Sequence, residues 1–351
     1  MTKRNLYLIF GVILAVSACS KPAREAHTES VVEITTAVAG EPAAKGPLST
    51  YIESYGIFAC LHEDAPAAFE PFKVGTYNVY AKEGSFSYVS DPADGTLDAK
   101  SSGKFVLTAR ADVNESADLY AYAPWTQDAY LTGPAQIPFT TGTDLMYAVQ
   151  NLPGYVPGAD PDKKNTELNP ALDTPPLKAT FYFKHAMARL VFKFKLKNEP
   201  STYVIKHITA HDNNPAGGSA KLYASGTFDA VTGTFNPEDL VEAAENVKTV
   251  NPTYGTVSSA TSETTISMLI VPTPVSVDDE LSFIFTLVNG ETFLPFVLKK
   301  EHVKHSDDSY GFQAGYTYTF HFTLDNYVYF NGLTIDESWS PADTDLLPED
   351  I

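Results

Sequence analysis

Residues 181–197 change the phase of their apolar alternation in the middle of a strand-like segment. Apolar side chains occupy every second position from Ala186 to Leu196, and basic side chains stand at several of the positions between. Side chains of a strand point alternately to opposite faces, so this pattern predicts a half-buried strand. Upstream, Phe181 and Phe183 are apolar in the other phase. A one-residue shift moves every side chain to the opposite face, so we expect the chain to change sheets near residues 184–185.

The composition indicates that this strand belongs to a mostly β protein. The 351 residues include 20 Tyr, 21 Phe, 21 Gly and 24 Pro, a mixture typical of short strands joined by turns. This length is sufficient for two domains of ordinary size. With the boundary at the change of phase, we predict an N-terminal β domain over 31–183 and a C-terminal β domain over 184–351.

The N-terminal residues predict export and a lipid anchor. Lys3 and Arg4 precede an apolar run that is too short to span a bilayer comfortably, as in a secretory signal over residues 1–18. Residues 16–19 resemble the lipobox of bacterial lipoproteins, which implies cleavage before Cys19 and lipidation of that cysteine. An ordinary signal peptide with an incidental Cys19 is the alternative. We expect residues 19–30 to tether the fold to the outer membrane, and Cys60 then has no partner for an intrachain disulfide.

An early strand is followed by a segment that cannot continue it. Residues 31–39 alternate, with Val32, Ile34 and Val38 on one face. Pro42, Gly46 and Pro47 follow and bracket a single basic residue, Lys45. From these residues alone, an edge strand and an exposed loop form the ordinary interpretation.

Three further segments carry local signals. Asn236 as a cap, Pro237 in the first turn and the apolar spacing that follows predict a helix over 236–247. The dipeptide Asn289–Gly290 predicts a type I′ hairpin turn, because both central positions of that turn need positive φ. Around Asn331–Gly332 we expect a second pair of strands.

The sequence shows no pattern typical of catalysis, metal binding or nucleic-acid binding. Its formal net charge of −19 argues against a nucleic-acid partner. The aspartates of the segment 91–98 are oxygen-bearing, but their spacing does not match a calcium loop, and they are common turn formers. The pairs His207/His211 and His302/His305 each lack a third ligand. We therefore predict no cofactor, no metal and no enzymatic activity, with a hydrolase as the outlying hypothesis.

Several segments together resemble one family, the fimbrillin-like proteins of Bacteroidales, which are subunits and accessory proteins of type V pili. The similarity lies in HAMARLVFKFKL, YAYAPW, DLMYA, GYTYTFHFTL and LTIDESW. The resemblance implies two transthyretin-like β-sandwich domains in tandem and a lipoprotein precursor. It also implies assembly by strand exchange, in which a protease cuts after a basic residue, the first strand leaves, and a strand of a neighbouring subunit replaces it.

The resemblance assigns roles to particular residues. Strand 31–39, with Val32, Ile34 and Val38, would be the removable strand, and Lys45 would be the cut site. Arg24 is a poorer cut site, since cleavage there leaves the strand in place. Family sites are commonly arginine, so Lys45 is a departure from the pattern. The donated strand is expected in the C-terminal region that contains Leu333, Ile335 and Trp339.

The leading hypothesis is a structural subunit of a cell-surface pilus that acts in adhesion. It would be exported as a lipoprotein and would assemble with other pilus subunits, as a homo- or hetero-polymer; whether it is a stalk, tip or anchor subunit stays open, as does a host or bacterial surface ligand. The alternative is a non-polymerising surface lipoprotein that binds a glycan or a host protein through aromatic loop residues such as Trp125 and Tyr130.

Overall fold

The computed structural model describes residues 27–38, 52, 54–62, 69–110, 115–151, 168–170, 173, 175–213 and 218–336. Within these residues the fold is almost entirely β, and the one α-helix, α1 (Ala129–Thr132), is a single turn. Two 3₁₀ segments cover Val74–Thr76 and Lys300–Val303. The prediction of an all-β fold is confirmed.

Strands of the first half, up to the change of phase, form one long sheet. They are β1 (His27–Val38), β2 (Tyr55–Leu61), β3 (Val79–Lys82), β4 (Ser85–Asp91), β5 (Thr96–Ser102), β6 (Phe105–Arg110), β7 (Ala117–Ala123), β8 (Ile137–Thr140), β9 (Met146–Asn151) and β10 (Leu177–His185). All except β8 belong to a nine-stranded sheet with the order β5-β4-β3-β2-β7-β9-β10-β1-β6.

The two ends of this sheet meet across a shared core. Tyr88, on β4, donates from Oη to the Lys104 carbonyl oxygen at 2.9 Å and accepts from the Val106 amide at 2.9 Å. The rings of Phe86 and Phe105 lie 5.7 Å apart. Because β4 and β6 lie near opposite ends of the strand order, the sheet folds back on itself around one apolar core, the N-terminal core.

Strands of the second half form a two-layered sandwich. They are β11 (Ala188–Leu196), β12 (Tyr203–Asp212), β13 (Tyr223–Asp229), β14 (Thr234–Phe235), β15 (Val241–Glu242), β16 (Glu245–Thr249), β17 (Thr256–Val257), β18 (Thr264–Ile270), β19 (Thr273–Pro274), β20 (Leu281–Leu287), β21 (Phe296–Val297), β22 (Gly311–Phe312), β23 (Thr317–Leu324) and β24 (Val328–Asp336). The orders β18-β11-β23-β24 and β16-β12-β20-β21 define the two main sheets. Between them lies a C-terminal core rich in phenylalanine, where the ring of Phe192 stacks 5.4 Å from that of Phe320 and lies 5.1 Å from that of Phe283.

The chain changes sheets where the alternation changes phase. Phe183 lies on β10 in the nine-stranded sheet and faces the N-terminal core. Leu190 lies on β11 in the four-stranded sheet and faces the C-terminal core. The halves also contact each other, since β8 pairs with β13 and a third apolar cluster, around Ala186 and Met187, draws side chains from both. A division into two domains at 183/184 stays a prediction.

The predicted helix at 236–247 is wrong. A single turn closes between the Asp239 amide and the Asn236 carbonyl oxygen at 3.1 Å, after which β15 pairs with β13 and β16 pairs with β12. Val247 is 54% exposed while its neighbour Asn246 is buried, so the burial follows the two-residue period of a strand. Edge pairing with β12 and β13 satisfies the backbone here and overrides the local helix signals.

Two other turn predictions need correction. At Asn289–Gly290 the chain does turn, and the Leu287 amide donates to the Glu291 carbonyl oxygen at 2.8 Å. Only Gly290 of the pair has positive φ, however, so the turn is not type I′. Around Asn331–Gly332 there is one continuous strand, β24, in which Asn331 is the extra residue of a β-bulge opposite His321 and Phe322.

Candidate functional site

The first strand lies inside a sheet rather than at its edge. β1 runs parallel to β10, where Val32 pairs with Leu177 and Val38 with Phe183. On its other side β1 runs antiparallel to β6, from His27 opposite Arg110 to Val32 opposite Phe105. β6 lies beside the first half of β1, residues 27–32, and β10 lies beside the second half, residues 32–38, so the two registers overlap at Val32. We call the space that β1 occupies between β10 and β6 the slot. Pairing of strands so far apart in sequence is not readable from local pattern, which is why the residues alone suggested an edge strand.

Side chains of β1 alternate between the N-terminal core and solvent. Val32 is 2% exposed, and Ile34 is half-buried against the same core. Glu33 and Thr35 are exposed, and the Glu33 carboxylate lies 3.9 Å from the Lys178 ammonium. For Val38 the structure describes the strand pairing alone. The inward side of the slot is thus apolar where it receives Val32 and Ile34.

One inward position of β1 is polar, and the sequence prediction missed it because it started the strand at residue 31. Ser30 is 1% exposed, and its Oγ donates to the Pro170 carbonyl oxygen at 2.9 Å. The neighbouring Asn169 is also buried; its Nδ2 donates to Ser116 Oγ at 3.3 Å, and its backbone amide donates to Asp173 Oδ2 at 2.7 Å. Extending the alternation two residues upstream of Val32 would have placed Ser30 on the buried face.

The last strand occupies the opposite kind of position. β24 pairs only with β23 in the four-stranded sheet, so in the described part of the chain its other edge has no strand partner. Leu333 and Ile335 are partly buried against the C-terminal core. Phe330 packs more closely, with its ring 4.6 Å from that of Phe296. Trp339, the third predicted donor residue, lies outside the described residues, as do Cys19, Arg24 and Lys45.

Cys60 is buried on β2 and is a structural residue. Burial, and secondarily the nearby Asp118 carboxylate, raises the pKa of its thiol far above the ordinary range, so the thiolate is not accessible. This agrees with a fold that is held by packing.

The aromatic residues named for a binding site are engaged in packing. Trp125 is half-buried; it donates from Nε1 to the Asn78 carbonyl oxygen at 3.3 Å, and its ring lies 5.2 Å from that of Tyr80. Tyr130 is buried, with its ring 5.8 Å from that of Tyr77. Neither residue presents an open aromatic platform of the kind that the alternative hypothesis needs.

The acidic segment 91–98 uses its carboxylates to close turns. Asp91 accepts from the Ala93 amide at 2.9 Å, and Asp94 accepts from the Thr96 amide and hydroxyl at 2.9 and 2.6 Å. The hydrogen bonds from Thr96 hold the pKa of Asp94 below its ordinary value. Across the described ranges, no three His, Cys, Asp or Glu side chains come together as metal ligands.

The histidine pairs are likewise separate side chains with individual partners. His211 Nδ1 lies 3.1 Å from Asn213 Oδ1, and His207 Nδ1 lies 3.4 Å from Thr249 Oγ1. His305 Nε2 lies 2.8 Å from the Gly311 carbonyl oxygen.

In the part of the chain that the structure describes, no helix is long and apolar enough to cross a membrane.

Sequence comparison gives the family of this chain. The model of the family described as fimbrillin-like matches residues 63–339. The chain belongs to the fimbrillin-like family. Membership confirms the resemblance seen in the sequence and places the chain among fimbrial structural proteins rather than enzymes. Among curated proteins, none matches it.

Solved structures similar to this fimbrillin-like chain come from Bacteroides and Porphyromonas species. A proposed cell adhesion protein of Bacteroides uniformis aligns over 89% of this chain and 99% of its own, with 15% identity and a TM-score of 0.47. The tip fimbrial protein Mfa3 of Porphyromonas gingivalis, with a C-terminal truncation, aligns over 89% and 100%, with 8% identity and a TM-score of 0.39. The fimbrial anchor protein Mfa2 of the same organism aligns over 89% and 98%, with 11% identity and a TM-score of 0.36.

Proposed function

We propose that this chain is a structural subunit of a cell-surface pilus and that it assembles by exchange of its first strand. The observation that carries the proposal is the position of β1, which is the first strand that the structure describes yet lies between β10 and β6. Its loss would expose the edge of β6 that faced residues 27–32, the edge of β10 that faced residues 32–38, and the apolar floor under Val32 and Ile34. Such a slot is the acceptor needed for addition of a strand from another subunit.

A cut at Lys45 is suited to free β1 because it falls between β1 and β2, which residues 39–54 connect. β1 would then be held only by pairing and packing. A replacement strand with about four apolar side chains, at roughly 1.5 to 3 kcal/mol each, contributes on the order of 6 to 12 kcal/mol before backbone hydrogen bonds. That stabilisation is sufficient for a durable fibre.

Export and anchoring complete the proposal. The signal at residues 1–18 and the lipobox-like residues ending in Cys19 support a lipoprotein precursor that reaches the outer membrane. Family membership supports a place in the fimbrium, with other pilus subunits as partners and adhesion as the role. The donated strand would come from β24 and the residues after it, with Leu333, Ile335 and Trp339 as inward side chains. The arrangement into two tandem transthyretin-like sandwiches, divided at 183/184, forms part of the same proposal.

Limited proteolysis of the purified precursor tests the proposal. A trypsin-like protease is expected to release the segment that ends at Lys45, giving a product that begins at Gly46 by mass spectrometry, and a ladder of oligomers is expected afterwards. A stable monomer after release of the segment would contradict polymerisation.

Variants at the two basic residues provide matched controls. Lys45→Gln should keep β1 attached and stay monomeric under the same treatment, while Arg24→Gln should still polymerise. Polymerisation of Lys45→Gln without release of β1 would show that removal of this strand is not the trigger.

A further inference from the structure

Ser30 is the one buried polar side chain on the described inward face of β1, and it has a single defined partner. Its hydroxyl donates to the Pro170 carbonyl oxygen at 2.9 Å. Residues 168–170 are themselves fixed to β7 by two backbone hydrogen bonds. The Leu168 amide donates to the Ala117 carbonyl oxygen at 3.0 Å, and the Ala117 amide donates to the Leu168 carbonyl oxygen at 2.8 Å. The acceptor thus belongs to the slot and not to β1.

We propose that this carbonyl is a selectivity position of the slot, so that an incoming strand must bring a hydrogen-bond donor to the place of Ser30. The inference rests on the proposed function and deepens it by stating the chemistry of the partner strand. A buried carbonyl oxygen has lost its hydrogen bonds to water. If no donor replaces them, this desolvation destabilises the folded state without compensation. A strand with an apolar or an acceptor side chain at this place is therefore disfavoured relative to one with Ser, Thr or Asn.

The requirement also fixes register. Side chains of a strand alternate between its faces, so the donor position lies two residues before the place of Val32 and four before that of Ile34. A slip by one residue would turn a donor and its apolar neighbours to the solvent face. Acceptable strands thus read donor-x-apolar-x-apolar in the direction of β1.

The C-terminal segment of this chain contains that pattern in one direction. Asn331, Leu333 and Ile335 have the spacing of Ser30, Val32 and Ile34. In β24 the bulge at Asn331 interrupts the alternation: Asn331 is exposed and donates from Nδ2 to Thr323 Oγ1 at 2.8 Å, while Leu333 faces the core. Only a regular strand, without the bulge, places these three side chains on one face.

The opposite direction fails at the same place. If Ile335 and Leu333 filled the places of Val32 and Ile34 in reverse, Glu337 would stand at the place of Ser30. An ionised carboxylate is an acceptor only, so it would face the Pro170 carbonyl oxygen without a hydrogen to donate. The geometry therefore selects a donated strand that runs parallel to β10, as β1 does.

Hydrogen exchange in the full-length chain gives the first test. Ser30→Ala should raise the exchange rate of the β1 amides about ten-fold, because the free energy of local opening falls by the cost of one buried unpaired carbonyl. Ser30→Thr keeps the hydroxyl and should restore slow exchange. Equal exchange in Ser30→Ala and the wild-type chain would overturn the inference, and this measurement needs no cleavage.

Strand competition gives the second test. The full-length chain is nicked at Lys45 in the presence of labelled synthetic peptides of residues 28–38, so that each peptide competes with β1 for the slot. The wild-type peptide should displace β1, Ser30→Ala should need about ten-fold more peptide, and Thr35→Ala, at an exposed position, should match wild type. A peptide of residues 329–339 should also displace β1. With Asn331→Ala, about ten-fold more of this peptide should be needed, and Asn331→Ser should restore the original concentration.

The outcomes separate the two claims. If the wild-type and Ser30→Ala peptides displace β1 equally well, the selectivity position is wrong and strand exchange stands. If the nicked chain accepts no peptide at all, strand exchange itself is contradicted. Retention of affinity by Asn331→Ala would exclude the parallel register proposed for the C-terminal segment.

Discussion

β1 and β24 are the first and last described strands, and different interactions hold them. β1 pairs with β6 along residues 27–32 and with β10 along residues 32–38, and among the inward side chains that the structure describes Ser30 and Val32 are fully buried while Ile34 is half-buried. β24 has a partner on one side, and Phe330 packs among several aromatic rings of the C-terminal core. The described part of β1 therefore combines backbone pairs to two strands with two fully buried side chains, whereas β24 has one row of backbone pairs and side chains that are at most half-buried.

This difference separates an acceptor from a donor. A strand held by backbone pairs can be replaced by another strand, because the hydrogen-bonding edges of its slot accept almost any extended chain. A strand at an edge needs to break only one row of hydrogen bonds to leave. Substitutions at buried and exposed positions of β1 and β24 can test this difference between the two strands.

The largest effect is expected for Val32→Asp. Val32 is 2% exposed in the N-terminal core, so the substitution buries a carboxylate without a partner and should cost about 3 kcal/mol or more. Urea unfolding would measure the loss, and hydrogen exchange should show it concentrated in β1. An unchanged midpoint would mean that β1 is not seated in the slot.

Phe330→Ala should cause the next largest loss in the free energy of unfolding. The Phe330 ring stacks 4.6 Å from Phe296 and lies 5.7 Å from Phe322, and loss of a partly buried aromatic residue should cost about 2 to 3 kcal/mol. Tyr329→Ala is the matched control on the outer face of the same strand, where the ring contacts the Lys197 ammonium, and it should cost about 0.5 to 1 kcal/mol. Similar losses for the two would show that packing does not hold β24.

Gly332→Ala probes the bulge and should have a smaller effect. Gly332 has a φ of +151°, and no atom lies within 4 Å of the added Cβ, so the cost is backbone strain of about 1 to 2 kcal/mol. In the monomer this strain weakens β24. In protease-treated samples the same change should favour polymers, because a regular donated strand has no bulge. A fall in both stability and polymer yield would contradict this account of the bulge.

Glu33→Gln should have the smallest effect. The Glu33 carboxylate and the Lys178 ammonium are exposed and 3.9 Å apart, so the free energy of unfolding should change by no more than about 0.5 kcal/mol. A larger change would show that surface charge, and not backbone pairing, holds β1 in the slot.

The sequence predicts features that depend on local alternation. The all-β class and the separation of Phe183 and Leu190 into different sheets follow from side-chain period, since burial enforces it. The pairing of β1 with β10 and β6 joins residues that are far apart in the chain, such as Val32 with Leu177 and with Phe105, and no local pattern specifies it. The helix expected at 236–247 failed because tertiary pairing decided a segment with mixed signals.

The candidate site was predicted in part for the same reason. Val32 and Ile34 are at the predicted face because their alternation is local. Ser30 was not predicted, because a polar residue next to an apolar alternation is normally interpreted as the end of the strand. Its partner, the Pro170 carbonyl oxygen, is distant in sequence and is known only from the structure.

Site-specific cross-linking can detect a donated strand in the slot of a neighbouring subunit. Ile34 pairs with Ala179 in the precursor, so a donated strand in the same register would place Ile335 beside Ala179 of the next subunit. In a Cys19→Ser background, subunits with Ala179→Cys are mixed with subunits carrying Ile335→Cys, or Thr334→Cys as the control on the opposite face. After protease treatment, we expect an intermolecular disulfide for Ile335→Cys that the untreated precursor lacks. Polymers that form without this cross-link would contradict it.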